Sequence, residues 1–205
     1  MAKFVVFDFD GTLVDSREVA VKIYNQLAEK YNTKKMESIE RLRGLPLLKR
    51  FEVLDIPFYK LPFLAADFTK QYKHSINIIA MVCGMREVLI ELKRRGYQLA
   101  IVSSNSESNI RDYFKRNNLD VIETVVSSVN VLGKHKDIKK LLALHKLKPS
   151  EVIYVGDEIR DVEACKKIGI KIIWVNWGYD VLEVFQDEQP DFIASSPEDI
   201  LTILP

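Results

Sequence analysis

The chain has 205 residues, 30 Lys and Arg against 29 Asp and Glu, and a formal net charge of +1. That length supports one or two domains with a sizeable core, and the balanced charge speaks against nucleic acid or an anionic membrane as partner. Cys83 and Cys165 form no CxxC pair, which argues against metal binding through sulfur and fits free thiols in a reducing compartment. No apolar run reaches the ~18–20 residues of a membrane span, and the opening "MAKFVVFDFDG" lacks the long apolar segment of a signal peptide. The expectation is a soluble cytoplasmic protein.

In chain order, Phe4–Phe9 reads as a short buried strand. From Ser16 the period becomes helical through Val19, Ile23, Leu27 and Tyr31, with Asp15 and Ser16 placed to cap the start. Helical pattern recurs over Ser38–Arg43, Leu47–Leu54 and Leu64–Ile79, while "DIPFYKLPF", broken by Pro57 and Pro62, reads as a loop. The aromatic residues of "PFYKLPFLAADF" are expected to pack together as a small local core. After Gly84, strands at Gln98–Val102, Val121–Val126, Val152–Val155, Lys171–Val175 and Phe192–Ile193 alternate with helices at Met85–Arg95, Ser108–Asn117, Lys136–His145 and Asp161–Ile168. A last helix starts near Pro197, with Ser196 as its cap.

Apolar strands alternating with helices predict an α/β fold, a Rossmann-like parallel sheet with helices on both faces. Residues 16–83 break the rhythm with several helical segments and no clear strand. They are predicted to form an inserted helical domain, leaving 1–15 and 84–205 as the sheet-bearing core.

Ligands of open parallel sheets bind outside the carboxyl ends of the strands, so the polar residues there carry the functional information. In "DFDGT" (8–12), Asp8 and Asp10 lie two apart and face one side. Two carboxylates so close repel, and a cation resolves the conflict; magnesium, which takes oxygen ligands, is the economical one. Gly11 permits a sharp turn and close backbone approach. Ser103, Ser104 and Asn105 follow the strand "LAIV", where they can hold a phosphate oxygen or simply cap the next helix. Lys134 in "VLGKHKDI" sits at a helix start, where the dipole disfavours a cation unless it turns toward an anion; Lys136 competes for that role. In "GDEIRD" (156–161), Asp157 ends a strand and Asp161 lies one helical turn on.

Taken together, "DFDGT", Ser103, Lys134 and "GDEIRD" resemble the haloacid dehalogenase superfamily of hydrolases, in its phosphoglycolate phosphatase-like branch. The resemblance covers the whole chain, and residues 16–83 match the family's helical cap. It implies Asp8 as nucleophile, forming an aspartyl-phosphate, and Asp10 as general acid and base. It implies Ser103, Ser104, Asn105 and Lys134 as phosphate-binding residues, and a Mg2+ site made by Asp8, Asp10 through its backbone carbonyl, and Asp157. Asp161 is implied as a supporting residue. "RLRGLP" resembles the cap loop that reaches into the site, which makes Arg43 a candidate for a second anionic group of the substrate. His135 stands where the family often has proline, and Glu158 where many relatives carry a small residue, which makes Glu158 a candidate either for an acid behind the metal ligands or for an alternative ligand.

The implied function is a Mg2+-dependent phosphatase acting on a small phosphorylated metabolite. The alternatives are a phosphomutase of the β-phosphoglucomutase type, a pyrophosphate or nucleotide hydrolase, and a binding protein that keeps the fold without turnover. The acid at position 10 points to phosphate chemistry, because a halide leaving group needs no proton.

Overall fold

The first strand, β1 (Phe4–Phe7), reads FVVF and is buried on both faces. Phe4 and Val6 point into one apolar layer and Val5 and Phe7 into the other, as the two-residue period of a strand requires. A computed structural model describes residues 3–127, 133–185 and 189–204. In it β1 is the centre of a six-stranded parallel sheet, between β4 (Gln98–Ser103) and β6 (Val152–Gly156). Outside these lie β5 (Thr124–Ser127) on one edge, and β7 (Lys171–Val175) and β8 (Phe192–Ala194) on the other.

One face of the sheet is covered by α5 (Met85–Arg94), α6 (Glu107–Arg116) and α9 (Pro197–Ile203). The opposite face is covered by α7 (Lys134–His145) and α8 (Ile159–Ile168). Both layers are apolar, which explains why the strands read as continuous hydrophobic runs. The predicted α/β parallel sheet is therefore the fold. Among the described residues, no helix is long and apolar enough to cross a membrane.

The segment between β1 and α5 holds α1 (Arg17–Tyr31), α2 (Glu40–Arg43), α3 (Leu47–Val53) and α4 (Leu61–Ser75). Tyr24, Ala28, Leu42, Leu54, Ile56 and Leu64 form an apolar cluster of their own. Ile23 and Leu27 from α1, Tyr72 from α4 and Ile76 just after α4 pack instead into the layer that holds β1. The two long helices thus lie against both bodies.

Four local expectations are corrected. The segment does contain strands: β2 (Val14–Asp15) pairs antiparallel with β3 (Ala80–Met81). Two residues each are too few to show a period, and the pair sits where the chain leaves and re-enters the sheet-bearing part. Pro62 does not end a loop; it lies in the first turn of α4, where no intrahelical N–H is needed. Ser16 does not cap α1 through its side chain, because its hydroxyl is bonded to the Tyr179 hydroxyl at 2.9 Å. The aromatic residues of "PFYKLPFLAADF" do not pack together as a core: Phe58, Tyr59 and Phe63 are exposed, whereas Phe68 packs against the apolar clusters.

Candidate active site

The carboxyl ends of β1, β4 and β6 bring the motif residues to one place. Asp8 follows β1 directly and is buried. Its N–H continues the ladder to the Val155 carbonyl at 2.9 Å. One carboxylate oxygen accepts from the Phe9 N–H at 2.7 Å, and the other accepts from Lys134 Nζ at 2.5 Å.

Asp10 points elsewhere. Its carboxylate accepts from the Tyr72 hydroxyl, which comes from α4, and from the Asn105 side-chain amide at 3.0 Å. Burial raises the Asp10 carboxyl above its ordinary value; the hydrogen bonds from Tyr72, Ser16 and Asn105 oppose the shift, and the charge of Asp8 adds to it. Two acids from one strand end thus sit in different environments: Asp8 buried and paired with an ammonium, Asp10 half-buried and biased toward holding a proton.

Lys134 is the first residue of α7 and is buried, whereas Lys136 is exposed. Its ammonium reaches Asp8 and Asp161 and lies 5.4 Å from the centre of the Tyr154 ring. Burial works against the charged lysine, but Asp161 and Asp8 outweigh it and raise its pKa. Of the two lysines between which the sequence leaves the choice open, Lys134 is the one that reaches the strand-end acids. Ser103 is buried at the end of β4, and its hydroxyl accepts the Asn105 N–H at 3.1 Å. Ser104 and Asn105 line a cavity over Asp10.

Asp157, just past β6, is fully buried and held on all sides. It accepts from the Thr12 hydroxyl at 2.6 Å and from the Tyr179 N–H at 2.6 Å, and its carbonyl accepts from the Trp174 indole at 2.8 Å. Two glycines allow this approach. A Cβ on Gly11 would lie 2.4 Å from Asp157 Oδ2, and one on Gly178 would lie 2.2 Å from it. Gly11 also has φ +80°, a left-handed turn that glycine adopts at little cost.

Asp8, Asp157 and Asp161 each offer a carboxylate oxygen within 4.8 Å of the others. Burial pushes Asp157 well up, and the charges of Glu158, Asp8 and Asp161 push it further. Burial likewise raises Asp161 to about 6, with Lys134 pulling the other way. The four acids Asp8, Asp157, Glu158 and Asp161 outnumber the two cations beside them, Lys134 and Arg160. A buried set of oxygen donors with excess negative charge fits a hard divalent cation such as Mg2+. The carboxylate of Asp10 is not part of this cluster; it is turned to Tyr72 and Asn105.

Glu158 is committed to Arg160: burial works against its charge, but Arg160 and Lys134 prevail and hold it below its ordinary value. Arg43 is not drawn into the site. Its guanidinium donates to the carbonyls of Asp180 at 3.2 Å and Asn176 at 3.4 Å and pairs with Glu40. Residues the motif reading did not single out are Thr12, Ser16, Tyr72 and Gly178. Gly178 and Tyr179 sit on the loop after β7, so the rule of looking beyond carboxyl ends of strands points to them.

A sequence model of the haloacid dehalogenase-like hydrolases matches residues 5–175. A phosphoglycolate phosphatase from Synechococcus elongatus is 30% identical over 200 residues, covering 96% of this chain and 94% of that one. The pyrophosphatase PpaX of Bacillus cereus is 27% identical over 207 residues, covering 98% and 95%. In fold, a predicted phosphatase from Clostridium acetobutylicum superposes with a TM-score of 0.85 at 22% identity, over 100% of this chain and 98% of that one. The chain belongs to the haloacid dehalogenase-like hydrolase family.

Proposed function

We propose that this phosphatase-type hydrolase cleaves a small phosphorylated metabolite through a covalent phosphoryl group on Asp8. The observation that carries the reading is the unequal pair at the end of β1: Asp8 is buried and paired with Lys134, while Asp10 is half-buried, faces Tyr72 and Asn105, and has its carboxyl raised toward the protonated form. Environments that split two nearby carboxyls in this way assign one as nucleophile and the other as acid.

In the first step a carboxylate oxygen of Asp8 attacks phosphorus, the bond from phosphorus to the leaving oxygen breaks, and Asp10 gives that oxygen its proton. In the second step Asp10, now a carboxylate, takes a proton from water as the water oxygen attacks phosphorus. The Asp8–phosphorus bond breaks and inorganic phosphate leaves. Lys134 and the hydroxyl and amide groups of Ser103, Ser104 and Asn105 hold the phosphoryl oxygens, where charge spreads in the transition state. Asp8, Asp157 and the Asp10 carbonyl would hold Mg2+, with Asp161 in support; bound there, the ion supplies neutralisation of phosphoryl charge. Residues 16–83 act as a cap that bears on the site through Tyr72, excludes water and reads the leaving group.

Phosphate release from a panel of phosphorylated metabolites, with and without Mg2+, tests the reading. Mg2+-dependent release that Asp8→Asn abolishes supports it. Release that persists at the wild-type rate in Asp8→Asn contradicts it.

A further inference from the structure

A cavity of about 540 Å³ opens over Asp10. Its floor is polar, made by Asp10, Tyr72, Ser104 and Asn105. Its walls are apolar and come from α3, the turn Phe58–Lys60 and α4, through Leu47, Leu48, Phe51, Phe58 and Phe68. Among the described residues, no Lys, Arg or His side chain lines it.

That lining restricts what can enter. Asp10 is placed to protonate the leaving oxygen, so the group attached to that oxygen extends past Asp10 into this cavity. A second anionic group there would be removed from water without a cation to meet it, which is costly. Phosphoglycolate carries a carboxylate and pyrophosphate a second phosphate. Arg43, the cation that the sequence offers for such a group, is bound to the carbonyls of Asn176 and Asp180 instead. An apolar group is favoured by burial against the walls, and the volume suits an organic group of several carbons.

We propose that this cavity is the leaving-group subsite and that the substrate is a phosphomonoester of an uncharged, predominantly apolar alcohol, alkyl or aryl. The inference rests on the phosphatase reading and narrows it. It separates this chain from the substrates named for its relatives.

The test is kcat/KM for straight-chain alkyl monophosphates from methyl to octyl, with phosphoglycolate and pyrophosphate alongside, in the presence of Mg2+. The alcohols differ little in basicity, so the chemical step is nearly constant across the series. The expected result is a rise of roughly fourfold per methylene until the cavity is filled, with phosphoglycolate and pyrophosphate at least about 100-fold below the best alkyl ester. Phe58 is 65% and Leu48 51% exposed, so Phe58→Ser and Leu48→Ser leave the fold intact, and each is expected to flatten the slope. A flat profile with good turnover of phosphoglycolate or pyrophosphate overturns the subsite while leaving the phosphatase reading standing. A flat profile with a dimer that Phe58→Ser disperses gives the apolar wall to a second copy and also overturns it. No phosphate from any compound overturns both.

Discussion

The Tyr72 hydroxyl donates a hydrogen bond to the Asp10 carboxylate across 62 residues of sequence. It is a contact between α4 of the inserted segment and the turn after the central strand. Through it the packing of α4 and the placing of the acid become one matter. Tyr72→Phe keeps the ring and removes the donor. The expected outcome is a fall in kcat of about tenfold, the scale of one charge-assisted hydrogen bond, and a larger fall for alkyl phosphates than for p-nitrophenyl phosphate. Steady-state kinetics on the two esters check it, since only the poorer leaving group depends strongly on the acid.

Lys134 and Lys136 lie two residues apart and have opposite surroundings: one is buried against Asp8 and Asp161, the other exposed. Lys134→Met should lower kcat at least about 100-fold, as expected when a preorganised charge is lost from a phosphoryl site. Lys136→Met should stay within about twofold. Equal effects in the same assay would remove the special position given to Lys134.

Gly178 carries no side chain because Asp157 occupies that space. Gly178→Ala forces a methyl group onto the Asp157 carboxylate, and overpacking of this kind costs about 1–3 kcal/mol. The displaced carboxylate should raise the Mg2+ concentration needed for half-maximal activity about tenfold or more. Thermal melts and Mg2+ activation curves measure the two effects separately.

Asp180 joins α3 to the core, accepting from the buried Arg50 guanidinium and from the Ile159 N–H at 2.7 Å. Burial and the charge of Glu158 raise its carboxyl to about 6 despite Arg50. In the unfolded chain the same group titrates near 4. Between those values the folded protein holds a proton that the unfolded chain has lost. The contribution is therefore fully present below about pH 4 and lost as pH rises through about 6. Asp180→Asn removes this titration. On going from pH 7 to pH 4 the difference in unfolding free energy should move toward wild type by about 2 kcal/mol, as read from urea denaturation at each pH.

The sheet and the strand-end residues were legible because each rests on a local pattern. Val152–Val155 reads as a buried strand and Asp157 as the acid just past it, and both lie where expected. The partners of those residues were not legible. Thr12 meets Asp157 across 145 residues and Ser16 meets Tyr179 across 163, and no periodicity encodes contacts of that span. Pro62 misled because proline both ends helices and opens them; only the packing of Leu64 behind it, in the apolar cluster, settles which. Phe58 and Phe63 misled because aromatic composition usually signals burial, whereas here both are exposed.

The central claim is that Asp8 carries the phosphoryl group during turnover. Its most direct test is acid quenching of the enzyme during steady-state turnover with Mg2+ and an alkyl phosphate, followed by peptide mass spectrometry. The account predicts one added phosphoryl group on the peptide containing Asp8, bound to that carboxylate and absent in Asp8→Asn. Turnover with no such adduct, or with the phosphoryl group on another residue, would contradict it.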